Sequence, residues 1–206
     1  MAPDTATGSR FVPFRIISDN ILTEALMKQA AAVRRLLLLR HGKALRSEPG
    51  ARDFDRGLAA RGVTDSEKLG AFLTRHRLLP DRVLVSPAVR TRDTWAYAAR
   101  ACPAAPATVF DPRLYDAKAE TIFDIIREAG DAGAVLVVGH NPGLHELALL
   151  LIASGDVENR ERLQEHLPTA GLVVVDFVVK SWSKVHPQSG RLEQFIEPRT
   201  LDEAVD

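Results

Sequence analysis

The chain has 206 residues, enough for one domain with a substantial buried core and a short additional segment. Its 27 lysine and arginine residues balance its 27 aspartate and glutamate residues, so no overall charge favours nucleic acid or an anionic membrane. Because Cys102 is the single cysteine, the sequence excludes an internal disulfide and a cysteine-based zinc cluster, as is typical of a reducing cytosol. We therefore expect a cytoplasmic protein in which any basic site is local.

The first 32 residues differ in pattern from the rest of the chain. Their apolar run at residues 11–17 is interrupted by a proline and an arginine, so it fits neither a secretory signal nor a membrane span. We expect residues 1–32 to form a loosely packed or disordered extension, with a short helix at Ile21–Ala32 and Met27 as an alternative start. Residues 33–206 are then the folded domain.

From residue 34 onward, strand and helix patterns alternate along the chain. Short apolar runs predict strands, and segments with apolar residues three or four positions apart predict helices. The predicted strands lie at residues 34–39, 82–85, 107–110 and 134–138, and the helices that follow each of them lie at 60–77, 88–101, 118–129 and 144–153.

The last part of the chain has a different order. Residues 171–179 and 191–196 are predicted as two strands without a helix between them, joined by turn residues at 187–190. This order is typical of an antiparallel hairpin. The sequence thus predicts an α/β fold, a three-layer α/β/α arrangement with a mainly parallel central sheet and an antiparallel C-terminal edge hairpin.

Three short motifs follow predicted strands. Residues 40–42 (Arg-His-Gly) come directly after four leucines, residues 86–91 (Ser-Pro-Ala-Val-Arg-Thr) follow the second strand, and residues 139–143 (Gly-His-Asn-Pro-Gly) follow the fourth. In open α/β sheets, ligands bind beyond the carboxyl ends of the parallel strands. We therefore expect the three motifs to meet at one edge of the sheet.

Two of these motifs share a pair of residues that favours the start of a helix. Ser86 and Asn141 are residue types preferred at helix N-caps, and each is followed by a proline, which suits the first helical position. We expect both residues to cap the helices that follow. The free backbone N–H groups and the positive end of each helix dipole would then favour an anion.

The side chains of the motifs suit phosphoryl transfer without a metal or other cofactor. Arg40 and Arg90 can bind phosphate oxygens through planar guanidinium groups, which supply the neutralising charge. His41 would attack phosphorus as a neutral imidazole, because nearby cations lower its pKa below the usual value of about 6.5. His140 would donate to the phosphoryl oxygens as charge develops, and water would hydrolyse the phosphohistidine.

Together the motifs resemble those of the histidine phosphatase superfamily, also called the phosphoglycerate mutase-like family, from about residue 34 to residue 199. Residues 53–58 (Asp-Phe-Asp-Arg-Gly-Leu), 114–117 (Leu-Tyr-Asp-Ala) and 195–199 (Phe-Ile-Glu-Pro-Arg) are similar to its SixA branch of small phosphohistidine phosphatases, which act on histidine-phosphorylated proteins.

The resemblance implies a role for each of the four motif residues. His41 is implied as the covalent nucleophile, Arg40 and Arg90 as phosphate ligands, and His140 as the second catalytic histidine.

One residue of the wider superfamily is missing. Mutases and many small-molecule phosphatases of the superfamily carry a glutamate general acid after the third strand, where residues 111–116 here are Asp-Pro-Arg-Leu-Tyr-Asp. The SixA branch similarly lacks this glutamate, and an imidazole leaving group needs a strong acid less than a sugar alkoxide does. Asp116 is either a substitute acid or, as we expect, a cap for the following helix.

Further residues are weaker candidates for the site. Lys43 and Asn141 are candidate substrate-binding residues, although Lys43 is equally well explained as an exposed residue at the rim. Asp53, Asp55 and Arg56 are predicted to hold their loop by ion pairs, with substrate docking as an alternative for Arg56. The remaining histidines are interpreted as surface or structural residues: His76, His145, His166 and His186. For His145, a role at the rim of the site is left open.

Three functions remain at this point. The first is a metal-independent phosphatase acting on phosphohistidine in signalling proteins. The second is a phosphatase of a small phosphomonoester, and the third is a non-catalytic phosphoprotein-binding module. The expected partner is a phosphorylated protein or a small phosphomonoester, and neither nucleic acid nor a membrane; the sequence leaves the oligomeric state open.

Overall fold

The computed structural model describes residues 33–203; the predicted extension, its helix and the alternative start at Met27 lie outside them. In the described part, seven strands form one sheet: β1 (Val33–Arg40), β2 (Arg82–Val85), β3 (Ala107–Phe110), β4 (Ala134–Gly139), β5 (Ile152–Gly155), β6 (Leu172–Val178) and β7 (Gly190–Ile196). The α-helices of the same part are α1 (Ala60–Arg75), α2 (Val89–Ala99), α3 (Ala119–Arg127), α4 (Gly143–Leu151), α5 (Val157–Glu165) and α6 (Pro198–Glu203). None of these helices combines the length and apolar character needed to cross a membrane.

The strands are ordered β3-β2-β4-β1-β6-β7-β5 across the sheet. β1, β2, β3 and β4 pair in parallel, and so do β5 and β7, whereas β6 is antiparallel to both of its neighbours. Among the described strands, β6 alone therefore runs against the others. This arrangement confirms the predicted mainly parallel α/β sheet with an antiparallel C-terminal hairpin, and it adds the short strand β5 outside that hairpin.

Alternate leucines of β1 feed two separate cores. Leu36 and Leu38 face one side of the sheet and Leu37 and Leu39 the other, and all four side chains are fully buried. Helices α3, α4 and α5 cover the first side, and α1, α2 and α6 cover the second. Because burying one leucine contributes roughly 1.5–3 kcal/mol, this strand anchors the residues that follow it firmly. The three-layer prediction is confirmed.

The sequence analysis missed three elements beyond β4. The helix predicted at 144–153 ends at Leu151, because Ile152 already belongs to β5. Helix α5 is so polar that Leu163 is its one buried residue, and it therefore lacks the apolar spacing that predicts a helix. Strand β5 has four residues and α6 has six, lengths at which periodicity carries little information.

The two predicted helix caps are wrong. Helix α2 has Ala88 as its N-cap and helix α4 has Pro142, and neither forms a side-chain cap. Ser86 lies too early because it continues the ladder of β2, where its backbone N–H donates to the Val138 carbonyl at 3.0 Å. Asn141 precedes the N-cap and donates from Nδ2 to a loop carbonyl instead. Both side chains are thereby available to the site rather than to a helix end.

Two glycines bring the loop after β1 against α1. A Cβ at Gly42 would lie 2.8 Å from the Gly62 carbonyl oxygen, and a Cβ at Gly62 would lie 2.2 Å from the Lys43 carbonyl oxygen. Both distances are shorter than van der Waals contact allows, so this approach requires residues without side chains. The loop that carries His41 is thus seated directly on the first turn of α1.

We expect Gly62→Ala to lower the free energy of unfolding by about 1–3 kcal/mol, since the added methyl group collides with backbone. A decrease would indicate the close approach, because replacing glycine by alanine inside a helix ordinarily raises the free energy of unfolding by about 1 kcal/mol. Urea unfolding measures the change. Gly57→Ala is the matched control, because its nearest neighbour would be a side-chain atom at 3.8 Å; a Gly62→Ala variant as stable as this control would contradict the close approach.

Candidate active site

The ends of three adjacent strands bring the predicted motifs together. β2, β4 and β1 are neighbours and parallel, with Arg40 opposite Gly139 in register. The His41 backbone N–H donates to the Gly139 carbonyl at 3.2 Å. The rings of His41 and His140 consequently lie side by side, with centroids 5.3 Å apart.

Arg90, in the first turn of α2, contacts both histidines. Its Nε donates to His41 Nε2 at 3.3 Å, and its NH2 group donates to His140 Nδ1 at 3.1 Å. NH1 donates to the Asp53 carbonyl oxygen at 2.7 Å, and NH2 also lies 2.9 Å from the carboxylate of the same residue. The Arg90 side chain is 6% exposed, so these contacts are made largely out of water.

Arg40 lies half-buried beside the histidines with part of its donor capacity unused. Its NH1 group donates to the Leu167 carbonyl at 2.8 Å, whereas its buried Nε has no hydrogen-bond partner among the described residues. Burial lowers the pKa of Arg40 from its usual value. A buried N–H donor without a partner is costly unless a ligand satisfies it.

The hydrogen bonds of His41 define its tautomer. Nδ1 lies 2.8 Å from the Gly42 carbonyl oxygen and must donate to it, while Nε2 accepts from Arg90. Burial is the main cause that lowers the pKa of His41 to about 4. The bond to the Gly42 carbonyl opposes this effect, and the charges of Arg90, Arg40 and Arg56 add to it. The ring is therefore neutral at neutral pH, with the lone pair of Nε2 directed to the guanidinium.

His140 is also a neutral imidazole. Burial, followed by the charge of Arg90 and by repulsion from a His41 ring that is protonated first, lowers its pKa to about 3. Since an arginine can only donate, Nδ1 accepts from Arg90, and Nε2–H then donates to Ser86 Oγ at 2.7 Å. The edge of the Tyr115 ring packs against His140, with centroids 5.6 Å apart.

Asp53 and Tyr115 are site residues that the sequence analysis did not assign. The predicted ion pair of Asp53 with Arg56 is present, but the Asp53 carboxylate also pairs with Arg90 and accepts from the Tyr115 hydroxyl at 3.1 Å. Burial acts to raise the pKa of Asp53, and the bond from Arg56, the charge of Arg90 and the Tyr115 hydroxyl together bring it below its usual value. Both residues lie in segments that resemble the SixA branch, residues 53–58 and 114–117. That resemblance is the sequence feature that could have identified them as site residues.

The weaker candidates differ in their contacts and in their exposure to solvent. Asn141 Nδ2 donates to the Leu167 carbonyl at 3.0 Å, the same oxygen that holds Arg40, and Asn141 Oδ1 is buried without a partner. Lys43 is exposed at the rim. Asp116 is exposed with φ 50° and does not cap α3, whose N-cap is Lys118, so that prediction is wrong.

The other histidines have local explanations. His145 Nε2 lies 2.6 Å from the Leu163 carbonyl oxygen, His76 stacks on Phe72, and His166 and His186 are exposed. Within residues 33–203, no group of three or more His, Cys, Asp or Glu side chains could hold a metal ion. The site thus combines two neutral imidazoles with guanidinium groups, which is an arrangement for an anion.

The chain belongs to the histidine phosphatase superfamily. A model of this superfamily (branch 1) matches residues 36–120. A candidate phosphohistidine phosphatase, SixA, from Agrobacterium tumefaciens has 32% identity and a TM-score of 0.70, covering 80% of this chain and 98% of that one.

Further relatives agree in fold and length. A candidate phosphohistidine phosphatase SixA from Nakamurella multipartitia has 26% identity and a TM-score of 0.71, covering 82% of this chain and 98% of that one. An uncharacterized protein of Mycobacterium tuberculosis is 36% identical over 164 residues, which cover 78% of this chain and 100% of that protein. SixA-type proteins are therefore among the relatives of this chain, as its motifs predicted.

The low pKa values of the two histidines predict a distinct response to pH. The unfolded chain takes up protons at these rings from about pH 6.5 downward, whereas the folded chain does so only near about 4 for His41 and about 3 for His140. Their contribution to stability is therefore fully present above about pH 6.5 and is lost as the pH falls towards about 4. NMR titration should show both rings neutral down to about pH 5.5; a His41 midpoint near 6.5 would contradict this account.

Proposed function

We propose that this chain is a metal-independent phosphatase that forms a phosphohistidine intermediate on His41 and acts on phosphohistidine in signalling proteins. The observation that carries the proposal is the neutral His41 ring, whose Nε2 lone pair lies 3.3 Å from the Arg90 guanidinium. A lone pair beside a phosphate-binding group is what phosphoryl transfer requires. Membership of the histidine phosphatase superfamily supports the same conclusion.

The phosphoryl group would be bound by two guanidinium groups. Arg90 would exchange contacts with the histidines and Asp53 for phosphoryl oxygens, and Arg40 would offer its unpartnered Nε. Guanidinium groups bind such oxygens in pairs of parallel hydrogen bonds, and the low exposure of Arg90 strengthens them. The phosphorus would then lie over His41 Nε2.

His41 would attack phosphorus with the Nε2 lone pair. A bond forms between Nε2 and phosphorus, the bond to the leaving group breaks, and the leaving group takes the electron pair. The His41 ring becomes cationic, and its Nδ1–H bond to the Gly42 carbonyl stabilises that charge and fixes the ring. A water molecule then attacks phosphorus, and the bond from phosphorus to Nε2 breaks with its electron pair returning to Nε2. Inorganic phosphate leaves with both water protons, which restores neutral His41.

His140 would donate a hydrogen bond to the phosphoryl oxygens. In the free site its Nδ1 accepts from Arg90, so donation requires the other tautomer. Ser86 permits this change, because its hydroxyl can accept from Nε2–H or donate to an unprotonated Nε2. When Arg90 donates to the phosphoryl group instead, Nδ1–H of His140 can also donate a hydrogen bond to a phosphoryl oxygen.

The leaving group is expected to be one that departs without a strong acid. Asp53 is the carboxyl that contacts Arg90, and its lowered pKa keeps it ionised at neutral pH, which makes it a poor proton donor. An imidazole already protonated on its second nitrogen leaves as a neutral molecule. A sugar alkoxide would need a proton in the same step. This difference favours phosphohistidine over a phosphorylated metabolite.

We expect His41→Ala to lower hydrolysis of both a phosphohistidine peptide and an aryl phosphate on the order of 10³-fold or more, because the covalent step is lost. Steady-state kinetics measures this effect, and acid-labile labelling of the protein with radioactive phosphate should disappear with it. His186→Ala is the control, since His186 lies exposed in a turn and bonds to the Pro187 carbonyl. Unchanged activity of His41→Ala would refute the mechanism.

A phosphatase of a small phosphomonoester is the second candidate. The fold alone is shared with a candidate alpha-ribazole-5'-P phosphatase from Escherichia coli, at 18% identity and a TM-score of 0.57.

Comparison of a phosphohistidine protein with a panel of phosphorylated sugars, hydroxy acids and nucleosides would separate the two candidates. We expect kcat/KM for the phosphohistidine protein to exceed that of each metabolite by on the order of tenfold or more, since the site has no ready proton donor for an alkoxide. A metabolite with the higher kcat/KM would establish the second candidate instead.

A further inference from the structure

In the free site, the carboxylate of Asp53 forms an ion pair with the guanidinium of Arg90. Oδ2 lies 2.9 Å from Arg90 NH2 and accepts from the Tyr115 hydroxyl at 3.1 Å, while Oδ1 accepts from Arg56 Nε at 2.8 Å. The side chain is nevertheless 49% exposed, so it lies at the mouth of the site rather than beneath it. A substrate that binds to Arg90 would therefore lie close to this carboxylate.

Phosphate binding changes the surroundings of Asp53. A phosphoryl group that takes Arg90 NH2 removes one donor from Oδ2 and brings negative charge close to it. A carboxylate deprived of a charged partner beside a phosphate is destabilised unless another donor replaces that partner. Arg56 and Tyr115 still donate to the carboxylate, and the donor that replaces Arg90 can come from the leaving group or from water. A leaving group with an N–H donor therefore fits here, whereas an anionic leaving group is repelled.

An aromatic surface lies next to this carboxylate. The ring of Phe54 meets that of Tyr115 edge to face at 5.0 Å between centroids, and Tyr115 in turn packs against His140. Planar rings pack well against such surfaces. The mouth of the site thus offers aromatic side chains and a hydrogen-bond acceptor, two features that suit an imidazole ring.

We propose that Asp53, together with Tyr115 and Phe54, forms a leaving-group subsite that selects a phosphorylated imidazole by accepting a hydrogen bond from its ring nitrogen remote from phosphorus. The inference rests on the phosphatase function proposed above and adds a specificity-determining residue to it. When His41 Nε2 bonds to phosphorus, the P–N bond of the substrate breaks and its electron pair stays on the departing nitrogen. The imidazole leaves neutral, with the proton still on the remote nitrogen and hydrogen-bonded to Asp53.

The subsite is tested by Asp53→Asn, with Asp53→Glu as a second variant that keeps the charge but displaces it. The measured quantity is the ratio of kcat/KM for a phosphohistidine peptide to kcat/KM for an aryl phosphate, which has no N–H donor. We expect the ratio to fall on the order of tenfold or more in Asp53→Asn, and by less in Asp53→Glu, as for loss of a charged hydrogen bond. Asp55→Asn, on the same turn but paired with Arg52, should keep the wild-type ratio.

A second measurement does not depend on turnover. Titration of imidazole into the protein saturated with inorganic phosphate should show on the order of tenfold weaker binding for Asp53→Asn than for wild type or Asp55→Asn. Equal imidazole binding, or parallel changes with both substrates at a constant ratio, would overturn the subsite and leave Asp53 as a residue that only tunes phosphate binding to Arg90. Loss of the phosphatase proposal would appear differently, as a wild-type protein whose hydrolysis does not depend on His41.

Discussion

The buried guanidinium of Arg90 is the contact on which the rest of the site depends. It touches His41, His140 and Asp53 at once, and its charge helps to keep both imidazoles neutral. A lysine could not replace it, because one ammonium group cannot direct separate N–H donors to several partners in a fixed plane. In the proposed reaction, an incoming phosphoryl group would exchange these contacts one by one.

The fold explains why these groups meet without strain in the sheet. Parallel register sets Arg40 opposite Gly139, so the residues that directly follow the two strands, His41 and His140, lie at the same edge. The close approach of Gly42 to α1 then fixes the loop beyond His41. Buried strands therefore set the distance between the histidines, while the segment between β1 and α1 supplies Asp53.

The electrostatics of the site connect its chemistry to its choice of substrate. Burial, aided by the charges of the arginines, lowers the pKa of both histidines, whereas Arg56, Arg90 and Tyr115 together lower the pKa of Asp53. The site therefore holds neutral imidazoles and an ionised carboxylate at neutral pH. Under the proposed function, such a site suits a leaving group that brings its own proton. The proposed leaving-group subsite would give the missing glutamate and the position of Asp53 one physical explanation, a leaving group of low basicity with an N–H donor.

By itself, the sequence determined the layered α/β fold and four central residues, because buried strands and the motifs at their ends have local signatures: Arg40, His41, Arg90 and His140. It misassigned Ser86 and Asn141 as helix caps and gave no signal for the polar helix α5, since capping and short elements depend on neighbours distant in the chain. Only the tertiary structure decided that Asp53 and Tyr115, 62 positions apart, share a hydrogen bond at the mouth. Charge and hydrogen bonding act through space, and a pattern along the chain does not record which loops come within their range.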